Sequence, residues 1–238
     1  MKNVLLTLML APALFAQLSP RPADAIVPVV GSTGGQSNAS FKTELQLSNP
    51  SEVVIAGWLF LRPQGAVRHY ELQPHTTISF ADIVAELGAS GLGSLDILVE
   101  RGRVPTIVAR AYDDQPAGTT GATIPLVRAE SILARNDFAA LVAPRDLGRY
   151  RFNAGVRALD SGATLEIIVR AANGAERNRR TVEYAAHHFE QQPGNAFAGI
   201  ALHADDAIEV IIRAGSAIVY GSTVDNATND SSVQVLVR

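Results

Sequence analysis

The chain has 238 residues, of which 47% are hydrophobic and 18% are charged, and its formal net charge at pH 7 is −3. Such a mild acidic balance argues against a nucleic-acid-binding protein, which usually carries a basic surplus. The chain contains no cysteine, which excludes disulfides, thiolate catalysis and zinc sites with cysteine ligands. Its apolar content is ample for a folded core, and its length fits one large domain or two of ordinary size.

The first 25 residues have the features of a signal peptide. Lys2 is followed by an almost wholly apolar run, Val4 to Phe15, which is too short to cross a membrane as a helix. Ala23-Asp24-Ala25 has the small-x-small form that signal peptidase accepts, and a second possible cut follows Ala16. No later stretch is long and apolar enough for a transmembrane segment. We therefore predict a secreted protein, periplasmic or extracellular, whose mature chain begins near Ile26.

The remaining chain divides into two similar halves, residues 26–130 and 131–238. Phe41–Asn49 aligns with Tyr150–Ala158, and in both segments an aromatic residue opens a strand with alternating apolar positions. Strand-like runs separated by turn residues recur about every 10 residues, as in β-sandwiches. The sequence therefore predicts an all-β protein made of two tandem immunoglobulin-like β-sandwich repeats.

One strand of the first half is apolar on both faces. Val53–Leu61 reads VVIAGWLFL and shows no polar alternation. Either the strand is central and covered on both sides, or its outer face packs against the other repeat or a partner. The pattern alone leaves both interpretations open. Trp58, the single tryptophan, is expected to be buried in either case.

A short helix is predicted in the first half only. Ser79 to Asp82 can cap its start, Ile83, Val84 and Leu87 form an apolar stripe, and Gly88 can end it. The corresponding segment of the second half, His188–Gly199, contains Pro193 and Gly194 and is predicted to be a loop.

The first half resembles a group of uncharacterised secreted bacterial proteins with paired β-sandwich repeats. The resemblance is carried by Phe41–Ser51 (FKTELQLSNPS), by a helix followed by SGLGSL within Asp82–Leu95, and by Tyr112–Thr119. In the second half, Val224–Asp230 is similar to the closing turn of such a repeat, although Ala158-Leu159-Asp160 replaces the Asn-Pro-Ser of the first. The resemblance implies export and an immunoglobulin-like fold, and it implies no activity.

No catalytic constellation can be assembled from the sequence. Gly31 to Gly35 (GSTGG) superficially resembles the glycine-rich loop of serine proteases, but a threonine holds the nucleophile position, so we predict a flexible loop. His203 with Asp205 and Asp206 is more typical of a solvated surface than of a metal site. Arg177, Arg179 and Arg180 form a small basic patch that could contact an acidic partner or a polysaccharide, or that could protect an edge strand from aggregation.

The acidic turns that close the two halves are the one candidate site. Asp113 and Asp114 of the first half align with Asp225 and Asn226 of the second, and Asn229 and Asp230 follow on the same turn. These oxygens make a weak calcium site conceivable, because Ca²⁺ takes six to eight oxygen ligands. Asp and Asn are also ordinary turn residues that bond their own backbone. No residue is predicted to be catalytic, and the sequence does not identify the ligand-binding residues.

These features favour a non-catalytic structural or adhesion-type module that binds an extracellular or envelope protein or glycan. The first alternative is a carbohydrate-binding module, for which exposed aromatic residues would be needed, although aromatic residues make up only 6% of the chain. The second alternative is an enzyme of unrecognised type. No cofactor other than calcium is suggested, and neither a nucleic-acid partner nor a membrane span is expected.

Overall fold

The computed structural model describes residues 22–35, 39–116 and 118–238. This part of the chain is all-β, with sixteen antiparallel strands, two short α-helices and one turn of 3₁₀ helix. The strands form two sheets, one built from the first half of the chain and one from the second. The predicted signal peptide lies almost entirely outside the described residues.

The sheet of the first half contains β1 to β9. Its elements are β1 (Ala25–Gly34), β2 (Ser40–Ser48), β3 (Ile55–Arg62), β4 (Val67–Leu72), β5 (Thr77–Phe80), α1 (Ile83–Glu86), β6 (Gly91–Arg101), β7 (Thr106–Gln115), β8 (Gly118–Thr123) and β9 (Val127–Arg128). The strand order is β4-β3-β6-β1-β2-β7-β8, while β5 pairs with β2 and β9 pairs with β1. Because β1 pairs with β6 along most of its length and with β2 at its end, it joins two layers. Leu45, Leu59 and Ile97 meet in the core between these layers.

The sheet of the second half follows a 3₁₀ turn at Ala129–Ser131. Its elements are β10 (Leu133–Ala134), β11 (Phe138–Val142), β12 (Tyr150–Arg170), β13 (Glu176–Tyr184), β14 (Phe189–Pro193), α2 (Gly194–Ala198), β15 (Ala207–Asp225) and β16 (Ser231–Leu236). Strands β12 and β15 lie side by side in the middle of the order β10-β15-β12-β13. Strands β11 and β16 also pair with β15, and β14 pairs with β12.

The two central strands of the second half each contribute to both layers of a sandwich. Pairing of β12 with β15 is interrupted after Ala158 and resumes at Ala163, opposite Gly215. Gly162 and Gly215 have φ angles of 70° and 68° there, a conformation that glycine adopts without steric cost. Either side of this bend, the inward side chains of both strands join one buried cluster that also contains Leu141 and Phe197.

Most strand pairings of the first half have a counterpart in the second, although the pairings of β1 with β2 and with β9 have none. In the first half, strand β2 pairs with β5 and with β7. In the second half, the first part of β12 pairs in the same way with β14 and with the last part of β15. Strand β3 pairs with β4 and with β6. The second part of β12 pairs correspondingly with β13 and with the first part of β15. Registers correspond as well, because Phe41 lies opposite Asp113 and Tyr150 lies opposite Asp225. These are the residues that the sequence alignment pairs.

The first helix forms as predicted, and the prediction of a loop for His188–Gly199 is wrong. Asp82 caps α1 by accepting a hydrogen bond from the backbone N–H of Ala85. The second segment instead forms β14 and α2. Pro193 stands just before the helix, where its missing N–H costs no helical hydrogen bond, and Gly199 ends it at a φ of 70°. A side chain of β13 caps the carboxyl end of α2, since the amide of Asn178 donates to the carbonyl of Ala198.

The prediction of a flexible loop at Gly31 to Gly35 is also wrong for most of its length. Residues 31–34 belong to β1, where Ser32 pairs with Gly91 and Thr33 with Phe41. A Cβ at Gly31 would lie 2.7 Å from the side chain of Leu92, so this glycine permits a close approach of β1 to β6. Among the described residues, no helix has both the length and the apolar character needed to cross a membrane.

The two halves pack against each other through an apolar cluster. Its buried members come from both sides of the boundary: Ala23, Ile26, Val127, Ile132 and Ile218. On strand β3 the inner face is fully buried, whereas Trp58, which was expected to be buried, and Phe60 are only half-buried on the outer face. The outer face of the apolar strand Val53–Leu61 is therefore turned toward the second half at Phe60, and Trp58 contacts the ring of His69 edge-on.

Candidate functional site: the cleft between the halves

The two acidic turns meet across the boundary between the halves. The side-chain amide of Asn229 donates to Oδ2 of Asp113 at 3.0 Å, and the hydroxyl of Thr120 donates to the carbonyl of Thr228. The oxygen of the same Asn229 amide accepts from Arg151 at 2.9 Å. Asn229 therefore links a carboxylate of the first half to a guanidinium of the second.

The carboxylates of Asp113 and Asp225 already accept several N–H groups. Asp113 is fully buried and accepts from the backbone of Ser40 at 2.6 Å and from the amide of Gln115. Burial alone would raise the pKa of Asp113, but the hydrogen bonds from Ser40, Gln115 and Asn229 outweigh it and lower that pKa. The backbone N–H of Ala227 and the guanidinium of Arg149 likewise lower the pKa of Asp225.

The remaining calcium candidates are held separately. Asp114 pairs with Lys42 at 2.7 Å, Asn226 accepts from Arg151, and Asp230 accepts from the backbone of Ser231. Among the described residues, no group of three or more acidic or histidine side chains could hold a metal ion. The turns are thus arranged around N–H donors and cationic side chains, which is the geometry of a structural junction.

A buried ion pair joins the halves at the other end of their boundary. Arg157 on β12 is 1% exposed and donates to Oδ2 of Asp96 on β6 at 3.2 Å, and to the carbonyl of Ala158. Arg62 of the first half donates to the same Oδ2 at 3.2 Å. Burial lowers the pKa of Arg157, and the charge of Asp96 opposes that shift. The pair fixes the second half on the outer face of the first.

A cleft of about 280 Å³ lies between the halves, next to the acidic turns. Its floor is the outer face of the sheet strands β12, β14, β15 and β16, and its roof is the end of β1 with the start of β2. The polar side chains on the floor are Arg151, Asn153, Gln191, Ser222 and Ser231, and the apolar lining includes Val29, Val30, Phe41, Leu92, Val224 and Val233. Apolar walls with a few convergent polar groups are typical of ligand sites.

Several polar groups in this cleft are left to solvent. Within the described part of the chain, neither the amide of Asn153 nor the hydroxyls of Ser222 and Ser231 have a hydrogen-bond partner. Gln191 uses its Oε1 to accept from Tyr220 at 3.1 Å, so its amide N–H₂ is available. These side chains are half-buried, and Asn153 lies directly opposite Ser222 in the sheet. The cleft therefore offers neutral donors and acceptors at fixed positions.

The charges at the edge of the cleft are already balanced. Lys42 pairs with Asp114, and Arg151 donates to Asn226 and Asn229 close to the carboxylates of Asp113 and Asp225. A larger cavity, of about 590 Å³, lies at the end of the boundary near Asp96. Its arginine and aspartate lining residues have partners, since Arg62 pairs with Asp96, Arg238 pairs with Asp137, and Asp160 lies 3.3 Å from Nδ1 of His187. The smaller cleft is accordingly the better candidate site.

The other sequence candidates lie elsewhere and have partners. Arg177 pairs with the buried Asp206, and its guanidinium also contacts Nε2 of His203 at 3.1 Å. Arg179 pairs with Glu166 and Glu176. These arginines lie on β13, which is at the edge of its sheet. The protected edge strand is thus the interpretation that the ion pairs favour.

Sequence analysis missed the residues of the cleft and of the buried ion pair. Arg157 and Asn153 occupy the outward positions of the alternating strand Tyr150–Ala158, which the pattern predicts to face solvent. That face is instead covered by the first half. The available signal was the apolar outer face of Val53–Leu61, for which packing against the other half was one of two interpretations.

No protein-family model matches the chain, and no curated protein matches it in sequence. The resemblance to secreted bacterial repeat proteins therefore stays a prediction.

Proposed function

We propose that the chain is an exported, non-catalytic structural or adhesion-type module composed of two copies of one immunoglobulin-like sandwich unit. The corresponding strand pairings support two copies, since β2 with β7 and β12 with β15 place Phe41 opposite Asp113 and Tyr150 opposite Asp225. The boundary at residue 130 falls within the 3₁₀ turn between β9 and β10. The apolar leader supports export.

The observation that carries a binding function is the set of unpartnered neutral groups in the cleft. Amides and hydroxyls such as those of Asn153, Gln191 and Ser222 do not ionise near neutral pH, so they suit recognition rather than acid–base chemistry. Half-buried polar groups that have no hydrogen-bond partner in the protein favour binding of a ligand that provides those hydrogen bonds. The proposed ligand is a segment of an extracellular or envelope protein, or a glycan.

Glycan binding is the second candidate, and the neutrality of the cleft favours it. A sugar presents many hydroxyls and no charge, which matches amide and serine side chains. The ring of Phe41 lines the same cleft and provides an apolar surface beside the amides. Its volume of about 280 Å³ is small, so the site would hold one sugar unit of a longer chain.

Binding to an immobilised glycan array tests the two candidates. The purified chain without its leader should be compared with Asn153→Ala and Gln191→Ala, with Gln73→Ala as the matched control, because the Gln73 amide contacts Glu71 away from the cleft. Glycan retention that is lost in the first two variants alone supports a carbohydrate-binding module. If no glycan is retained, a photo-crosslinker at Ser222 should capture an envelope protein, and Asn153→Ala should prevent it. Failure of both contradicts the proposed function.

The position of the export cut can be tested separately. Ala25 is fully buried and pairs with Ile97, and the carboxylate of Asp24 accepts from the backbone of Val99 at 2.8 Å. A cut after Ala25 would remove part of this packing, whereas a cut after Ala16 would keep it. We therefore expect the exported protein to begin at Gln17, and intact-mass measurement of secreted material should show this end rather than Ile26.

A further inference from the structure

The outer edge of β11 has main-chain groups that no strand of the described chain pairs. Strand β11 pairs with β15 on one side, in the register Phe138 to Ile211 and Val142 to Ala207. The N–H and C=O of Val142 point away from β15, because both bond to the side-chain amide of Gln234 at 3.0 Å. Main-chain groups alternate in direction along a strand. Those of Phe138 and Ala140 therefore also point outward.

The corresponding edge of the first half is covered. There β1 pairs with β6 as β11 pairs with the start of β15, and β9 adds to its outer edge, with Ala25 opposite Arg128 and Ile26 opposite Val127. In the second half, among the residues that the structure describes, the Gln234 amide is the group that bonds to this edge, at Val142. The sandwich unit thus covers this edge with a strand in one case and with a single side chain in the other.

The free edge lacks the devices that keep sheet edges apart. The sequence of β11 is FAALV, with no charged residue and no proline, and Phe138 and Val142 are 57% and 49% exposed. Natural edge strands usually carry charges, prolines or bulges that prevent pairing. The opposite edge of this sheet, β13, carries Arg177, Arg179 and Arg180. The two edges of one sheet therefore differ in whether they can accept another strand.

We propose that β11 pairs antiparallel with β11 of a second copy of the chain, about a two-fold axis at Ala140. The outward residues 138, 140 and 142 then pair with residues 142, 140 and 138 of the second copy. Phe138 of each copy then lies beside Val142 of the other, and the two Ala140 residues lie opposite each other. The strand is therefore self-complementary on its exposed face. A two-fold contact of this kind is closed, and it joins the two second-half sheets into one.

Gln234 acts as a plug that competes with this pairing. Its amide imitates a strand by giving one acceptor and one donor to Val142. In the dimer, the main chain of the second copy's Phe138 takes over both bonds, and Gln234 turns to solvent. Removal of the amide leaves Val142 without partners in the monomer, so dimerisation becomes more favourable.

Sedimentation velocity over a range of protein concentrations tests the proposal. The wild-type chain should show a monomer–dimer equilibrium, and Gln234→Ala should tighten it by about tenfold, the equivalent of one lost competing interaction. Ala140→Pro should abolish the dimer, because it removes the outward N–H without removing a bond to β15. Phe138→Lys adds a charge to the edge and should act in the same way if Ala140→Pro folds poorly.

Val53→Lys is the matched control, because Val53 is 59% exposed in the first half and lies far from β11 in sequence and in pairing. It should leave the equilibrium unchanged. Monomeric behaviour of both the wild type and Gln234→Ala at every concentration would overturn the proposal. A dimer that persists in a folded Phe138→Lys variant would overturn it as well.

Discussion

The two halves carry the same acid–arginine pair in two different environments. In the first half, Arg62 bonds to Asp96 at 3.2 Å, and in the second, Arg170 bonds to Glu209 at 2.8 Å. Asp96 lies opposite Phe60 and Glu209 opposite Ile168, at corresponding positions of corresponding strands. The side chain of Asp96 is 9% exposed because the second half covers it, whereas that of Glu209 is 17% exposed on an open face.

The difference shows that packing against the other half determines how the arginine and carboxylate side chains on the outer face of each sheet are paired. On the covered face, Arg157 is added from the other half, and Asp96 serves two guanidinium groups. On the open face, arginines of the same sheet spread over the surface and pair with several carboxylates, as Arg179 does with Glu166 and Glu176. Removing one partner of an exposed ion pair changes stability little, whereas removing one partner of a buried pair leaves a charge that cannot return to water.

The largest effect is expected from Arg157→Ala. This change leaves Asp96 buried beside the apolar boundary with only Arg62, and unfolding free energy should fall by about 3–5 kcal/mol. Urea unfolding measured by tryptophan fluorescence and circular dichroism provides the value. Glu209→Gln on the open face is the matched change and should cost about 0–1 kcal/mol. Equal losses for the two variants would mean that the covered and open pairs do not differ in the way their burial implies.

A smaller effect is expected from Trp58→Ala on the outer face of β3. Core tryptophans lose about 3–5 kcal/mol on such a change, but Trp58 is only half-buried, so about 2 kcal/mol is expected by proportion to its buried area. Glu166 holds the corresponding position on the open face, by its register with β15. Thermal unfolding of Trp58→Ala and of Glu166→Ala measures the contrast. A loss for Trp58→Ala as large as that of a core tryptophan would show that the second half covers Trp58 more fully than its half-burial implies.

Acid should weaken the junction of the two turns. The pKa values of Asp113 and Asp225 are both lowered from 3.8 in the folded protein. Their stabilising contribution is therefore complete above pH 3.8 and is lost as the pH falls through the lower folded-state values. Urea midpoints should be steady near neutrality and fall below this value. Asp225→Asn should reduce the steepness of that fall, and an unchanged profile would assign the acid loss to other carboxylates.

Calcium is expected to have the smallest effect. The oxygens of Asp113 and Asp225 already accept N–H groups from both halves, so a metal ion would have to displace these donors. Calorimetric melting with calcium and then with EDTA should give the same midpoint. A rise of several degrees with calcium would instead show binding to the folded state and restore the turns as a metal site.

The sequence was sufficient for those elements whose signals are local. Alternation identified the strands, and Asp82 and Gly88 marked the first helix. The second helix escaped detection because its support comes from Asn178 and Arg180 of β13, which cap its carbonyls from a distant part of the chain. Pro193 and Gly194 therefore suggested a loop.

The candidate site could not be predicted because its residues share no local pattern. Asn153 and Gln191 lie on different strands, and Arg157 looks like any outward residue of an alternating strand. Their role depends on the first half lying over that face, which is a property of how the two halves pack. The acidic turns were visible in the sequence, but Asn229, which links them, gave no sign that its partner would be Asp113.

The continuous pairing of β12 with β15 has a consequence for the order of folding. In the first half, the two layers are connected by separate turns, so each layer must close its own loop. In the second half, the bend at Gly162 and Gly215 carries both strands from one layer to the other while they stay neighbours. Once the first few residue pairs between β12 and β15 form, the remaining pairs can form in sequence along the two strands. The entropic cost of loop closure is then incurred only once. We expect amide protons of β12 and β15 to gain protection first in pulsed hydrogen exchange, and the first half to assemble on that completed surface.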